Sequence, residues 1–389
     1  MRARTRLGSG IALAWALTGP AASTGCGRRA DQGAERLQAG AVRELRRTGD
    51  RRELPPALGT HDEEGPLEPT RFLGDSATFG YVKAIQPVDS LLVVADVRLD
   101  PYLVLVDLAS GRAVRRFGAS GDGPGELRAP SSLGLSEGPE PYLRVFDTGQ
   151  QRVSWLDLRA PGASPRLVRE LPLHVGPPVF GLVEADGGLV AAGGFGAEYT
   201  LLVLDSVGRV LARERADPPF DSEALRRVWG DRMLNQADLA AAPSGTRLAL
   251  AYTEVNRIDL FRSASGPYIS VAGPRPTEPH YEIGEDGFRF LFDRHERAYF
   301  GVAATDSFVY ALFCGCVQGT PGGPDLSAWT WPRRIHVFDW DGNFVGELTL
   351  DRGVTAIGVS AADSTLWGAF TDPVPGIAEW SLSKWWSER

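Results

Sequence analysis

The chain has 389 residues, 43% apolar and 23% charged, enough to bury a sizeable core in one large or two ordinary domains. Its net charge of −8 argues against a nucleic-acid partner, because phosphate binding needs clustered basic surface. Three cysteines are too few to staple a fold of this size, and no apolar run reaches the roughly 18 residues that a membrane-crossing helix needs.

The N-terminus reads as an export signal, residues 1–25. Arg2, Arg4 and Arg6 are followed by the short apolar stretch "IALAWAL" and then by small residues, the order of a secretory leader. The small residues end at Cys26, the only cysteine in the first 313 residues. "ASTGC" resembles a bacterial lipobox, with Thr24 and Gly25 in place and Ser23 where Leu is usual. The resemblance implies that Cys26 is lipidated and becomes the mature N-terminus, anchoring the protein to a membrane. Residues 26–65 are polar and poor in aromatics, which predicts a flexible tether, with a short helix over 33–48 as an option.

From residue 66 onward one pattern recurs. An alternating strand ends at a polar residue, a Gly-containing turn follows, and a second alternating strand leaves it. The polar residue is Asp107, Asp157, Asp205 and Asp339 in four copies and Arg262 in a fifth, and "GIAEWSL" is a partial sixth. Each Asp is expected to accept hydrogen bonds from the turn amides. Asp341-Gly342 predicts a two-residue type I′ turn, which needs positive φ at both central positions. Two further strands precede each copy, the first apolar and small as suits a crowded inner position. Four strands per unit and six units, about 53 residues each, predict an all-β six-bladed β-propeller of four-stranded antiparallel blades over 66–389. The last copy lacks an outermost strand, so "EPTRFLGD", residues 68–75, is expected to close the last blade and leave no free sheet edge.

One blade also resembles a known repeat. In residues 117–158, Gly121, Gly123, Gly125, Pro130, Val145, Asp147, Arg152, Val153 and Asp157 match the NHL pattern, and the other blades are degenerate. The chain as a whole resembles bacterial six-bladed, TolB-like propeller lipoproteins. That resemblance implies a fold and a place in the cell envelope but no particular reaction.

No catalytic signature is present: there is no Gly-x-Ser-x-Gly elbow and no phosphate-binding loop. The five histidines are not paired at metal-ligand spacing, and only three asparagines are available for a lactonase-type calcium centre, so neither a metal nor another cofactor is expected. Two insertions interrupt the repeat. Residues 218–236 predict a helix with Asp221 as N-cap. Residues 274–298 predict an elaborated loop, and from it Phe288, Arg289, Arg294 and His295 are candidate ligand-binding residues. Trp329 and Trp331, in a long inter-strand loop, are candidates for stacking on a sugar. Cys314 and Cys316 share one strand face, near the upper distance limit for a disulfide unless Gly315 kinks the chain; a disulfide and two buried thiols are both consistent with the spacing. The expected function is therefore an envelope binding or scaffold protein, membrane-attached by its lipid, with a protein, peptide or glycan as partner. The alternative is a pore hydrolase or lyase.

Overall fold

The computed structural model describes residues 43–46, 50–52 and 65–389 apart from 75–77, 137–140, 162–163, 177, 194–198, 216–222, 224–235, 265, 275–279, 285–286, 292–293, 318–330 and 388. The leader, Cys26 and nearly all of the predicted 218–236 helix lie outside the described residues.

Three short strands precede the repeat: β1 (Arg43–Arg46), β2 (Asp50–Arg52) and β3 (Arg71–Leu73). Blade 1 is β4 (Val82–Val88), β5 (Leu91–Asp96), β6 (Leu103–Asp107) and β7 (Ala113–Phe117). Blade 2 is β8 (Pro130–Leu135), β9 (Leu143–Asp147), β10 (Arg152–Asp157) and β11 (Arg166–Pro172). Blade 3 is β12 (Gly181–Ala185), β13 (Gly188–Ala192), β14 (Leu201–Leu204) and β15 (Val210–Arg215). Blade 4 is β16 (Ala237–Ala241), β17 (Leu248–Tyr252), β18 (Arg257–Phe261) and β19 (Tyr268–Ala272). The hairpin of β20 (Tyr281–Gly284) and β21 (Gly287–Phe290) follows. Blade 5 is β22 (Glu296–Ala304), β23 (Phe308–Val317), β24 (Arg334–Asp339) and β25 (Phe344–Thr349). Blade 6 is β26 (Ala356–Val359), β27 (Thr365–Phe370) and β28 (Gly376–Ser381), after which the chain ends in α1 (Ser383–Ser387).

Each blade is antiparallel in sequence order, and β3 is the fourth strand of blade 6, with Leu73, Phe72 and Arg71 opposite Ile377, Ala378 and Glu379. The early strand thus closes the ring as the sequence predicts. Six apolar clusters fill the six seams between adjacent blades. The closing seam is one of them: Val82, Leu92 and Val94 of blade 1 meet Trp367 and Ile377 of blade 6, with Leu73 beside them. The second strands are buried along almost their whole length, as in β17, because both of their faces meet a neighbouring blade. The outer strands alternate, as in β15. Fully burying each such Leu, Val or Phe contributes roughly 1.5–3 kcal/mol.

The repeated Asp does what its position requires. Asp107 Oδ1 accepts from the Ser110 amide at 2.8 Å, Asp205 Oδ1 from Arg209 at 2.8 Å, and Asp339 Oδ1 from Asp341 at 3.0 Å and Asn343 at 2.8 Å. The type I′ expectation at Asp341-Gly342 is corrected. Only Gly342 of that pair has positive φ, at 84°, and the backbone pairs Asp339 with Asn343 around a three-residue loop with a register shift at Val337/Phe338. A three-residue loop with glycine in the left-handed position leaves room for Asp339 to cap two amides.

Two short stretches within residues 26–65 are strands. β1 pairs in parallel with β15, and β2 in parallel with β19, so residues 43–46 and 50–52 extend the outer edges of blades 3 and 4. An outer strand with unpaired amides and carbonyls accepts such an addition. Composition gave no sign of it, because edge pairing uses backbone groups rather than apolar side chains.

Candidate functional site at the insertion-bearing end

Strand alternation sorts the connections between two ends of the ring. First-to-second and third-to-fourth strand turns lie at one end. Second-to-third strand turns and the crossovers between blades lie at the other. The connections after β15, after β19 and after β23 all leave their strands at the crossover end. Decorating loops on a rigid ring are where binding residues concentrate.

That end carries a charged constellation. Glu254, in the β17–β18 turn, is buried; its Oε2 lies 2.8 Å from His295 Nε2, and its Oε1 accepts from Arg297 Nη2 at 2.7 Å and from Nε at 3.0 Å. Burial alone would raise the Glu254 pKa. The His295 hydrogen bond and the Arg297 charge outweigh it and hold the carboxyl below its ordinary value. The comparison with blades 1 and 2 is informative. There the carboxylate ending the second strand is taken up by backbone: Asp96 accepts from Tyr81 at 2.8 Å and Arg98 at 3.0 Å, and Asp147 from Ala129 and Gln150 at 3.0 Å each. In blade 4 the corresponding acid instead grips His295, just before blade 5, and Arg297 on the innermost strand of blade 5.

Asp238, on the innermost strand of blade 4, joins the same region. Burial raises its pKa, while Lys83 and Arg297 pull it back down. Lys83 sits on the innermost strand of blade 1. Blades 1 and 4 are opposite in a ring of six, so the attraction of Lys83 on Asp238 acts between innermost strands on opposite sides of the ring. Arg297 in turn lies 4.9 Å from the Phe300 ring. The channel end therefore presents both charge signs on a stiff frame.

Of the sequence candidates, His295 lies within this constellation. Arg289 is exposed on β21 and pairs with Glu282 at 2.5 Å, and Phe288 stands opposite Ile283 in the same hairpin. Arg294 is exposed, its amide bonded to the Leu291 carbonyl at 2.9 Å. Trp331 is half-buried, with its ring 5.8 Å from Tyr81, and Trp329 lies outside the described residues. Cys314 and Cys316 are joined in a disulfide with Cα atoms 5.0 Å apart, Gly315 between them adopting a φ of 54°. Sequence reading missed Glu254, Arg297, Asp238 and Lys83. The available signal was the acid of "AYTEVNR", which falls two residues after β17 where blades 1 and 2 end the strand on Asp. Among the described residues no three His, Cys, Asp or Glu side chains converge as metal ligands. A surface depression of about 500 Å³ at the opposite end is lined by Asp157, Arg159 and Arg166, whose ion pairs consume its charges.

Fold and site together define a six-bladed β-propeller with a charged, loop-decorated channel end. The chain belongs to the TolB-like 6-blade propeller-like family, whose pattern matches residues 72–362. No curated protein matches the sequence. Among solved structures, a DUF4221-family member from Bacteroides vulgatus ATCC 8482 is similar with a TM-score of 0.51 and 9% identity, over 81% of this chain and 94% of that one. A candidate exported protein from Bacteroides fragilis NCTC 9343 has a TM-score of 0.49 and 13% identity, over 86% of this chain and 99% of that one.

Proposed function

We propose that this protein is an exported, lipid-anchored binding protein of the cell envelope that docks a partner at the insertion-bearing end of its ring. The observation that carries the reading is the Glu254–His295–Arg297 cluster, in which a buried carboxylate of the β17–β18 turn fixes the chain where the second insertion enters blade 5. Holding an insertion in one geometry is what a recognition surface needs, since it removes the ordering cost from the binding event. Both charge signs are present, in Lys83 and Arg289 on one side and Asp238 and Glu282 on the other, which suits a peptide or protein segment; Trp331 leaves a glycan as the variant of the same reading. The leader and Cys26 supply the envelope address. A pore hydrolase or lyase would need Glu254 and His295 to meet a substrate, and both side chains are at most 1% exposed and already bonded to one another.

Two experiments test this. Fatty-acid labelling in cells should mark the wild type and not Cys26→Ser. Cross-linking in intact cells should give a discrete adduct that Lys83→Glu combined with Arg289→Glu abolishes while the variant stays folded; an adduct indifferent to both charges would refute docking at this end.

A further inference from the structure

A second charged group lies at the opposite end of the channel, in the seam between blades 2 and 3. Gly134, Arg144, Trp155 and Arg169 stand directly opposite one another across β8, β9, β10 and β11, so they share one face of blade 2. That face looks at blade 3: Trp155 Nε1 donates to Glu184 Oε2 at 3.2 Å, and Arg169 donates to the Ser206 carbonyl while its guanidinium covers the Trp155 ring at 4.7 Å. Arg144 is 2% exposed, and its Nε and Nη1 have no hydrogen-bond partner among the described residues. Its Nη2 occupies the space where a Cβ at residue 134 would sit, so the absent Gly134 side chain lets the guanidinium extend over the innermost strand.

Burying guanidinium donors without hydrogen bonds is costly, and the three N–H groups on Arg144 Nε and Nη1 are in that state. Burial does lower its pKa, to about 10, with Glu184 opposing the shift, and at neutral pH it remains a cation. Glu184 is half-buried on the innermost strand of blade 3, so the seam is in part exposed at that residue. Arginine's planar fork matches a carboxylate with two parallel bonds. The nearby Glu184 carboxylate penalises a doubly charged guest more than a singly charged one.

We propose that Arg144, across Gly134 at the inner end of the seam between blades 2 and 3, binds the carboxylate of a small, singly charged ligand. The site lies at the end carrying the β8–β9 and β12–β13 turns and is independent of the partner surface argued above.

The test is a titration of the purified full chain with sodium acetate at constant ionic strength, chloride as the balancing anion, followed by thermal denaturation and calorimetry. Acetate should raise the melting temperature saturably, and inorganic phosphate should do so more weakly. Arg144→Met should abolish the acetate response. Glu184→Gln, which preserves an acceptor for Trp155, should tighten acetate binding roughly three- to tenfold by removing a like charge. If Arg144→Met does not fold, the Glu184→Gln comparison decides. No saturable acetate effect on the wild type, an effect that survives in folded Arg144→Met, or unchanged affinity in Glu184→Gln would each overturn the proposal.

Discussion

Arg71 and Glu379 form a two-point clasp between residues 308 positions apart: Nε lies 3.0 Å from Oε1 and Nη2 2.8 Å from Oε2. The Trp367 indole donates to the same carboxylate at 2.9 Å, so one acid joins β3, β27 and β28. Arg71 is 37% exposed, which limits what the ion pair alone contributes. Glu379→Ala is expected to lower unfolding stability by about 1–2 kcal/mol, measured by urea denaturation, because it also strips the indole of its acceptor. Deleting residues 65–74 should do far more. It exposes the edge of β28 and should produce concentration-dependent aggregation in light scattering.

Glu254→Gln removes the anion from between two buried basic side chains. A loss of about 3 kcal/mol is expected at neutral pH, since Arg297 is left buried without its counter-charge. The folded-state pKa of Glu254 is depressed, so its stabilisation is present above the unfolded value and is lost as pH falls through the folded one. The gap between wild type and variant should therefore shrink in acid, read from denaturation curves at a series of pH values.

Asp238 has the opposite sign. Burial raises its pKa despite Lys83 and Arg297, so its ionisation opposes folding once pH rises above the unfolded value. Asp238→Asn should be more stable than wild type at neutral pH, with the difference closing as pH falls below the unfolded carboxylate range. A constant offset across pH would show that the two channel cations fully compensate its burial.

The Cys314–Cys316 bridge closes a very short loop, and short loops restrict the unfolded chain least. Cys314→Ser with Cys316→Ser is expected to cost no more than about 1.5 kcal/mol. Alkylation of the unreduced, denatured protein should leave both cysteines unlabelled, and prior reduction should label both, as mass spectrometry would show.

Much of the ring was legible in the chain. Asp107, Asp157, Asp205 and Asp339 mark third-strand ends because each must cap the turn that follows, and that need is local. The orphan strand at residues 68–75 was legible by counting, since the last blade lacked a fourth strand. The pairing of residues 43–46 and 50–52 was not, because backbone edges attract strands with no side-chain pattern to announce it. The type I′ turn was misread for a related reason: sequence shows Asp-Gly but not the register shift in β24.

The candidate site residues divide in the same way. His295 stood out by type and by its place in an insertion, but its partner Glu254 lies 41 residues away and Lys83 lies on the opposite blade. Arg144 reads from sequence as one alternating position in an ordinary strand. Periodicity, turn chemistry and strand count, all short-range properties, were enough for the sequence alone to determine six blades and their closure. Which charges influence one another between blades, and which buried guanidinium nitrogens are left without hydrogen bonds, was decided only by closing the ring, because electrostatic interaction depends on distance in space and the propeller brings its most distant strands to a common axis.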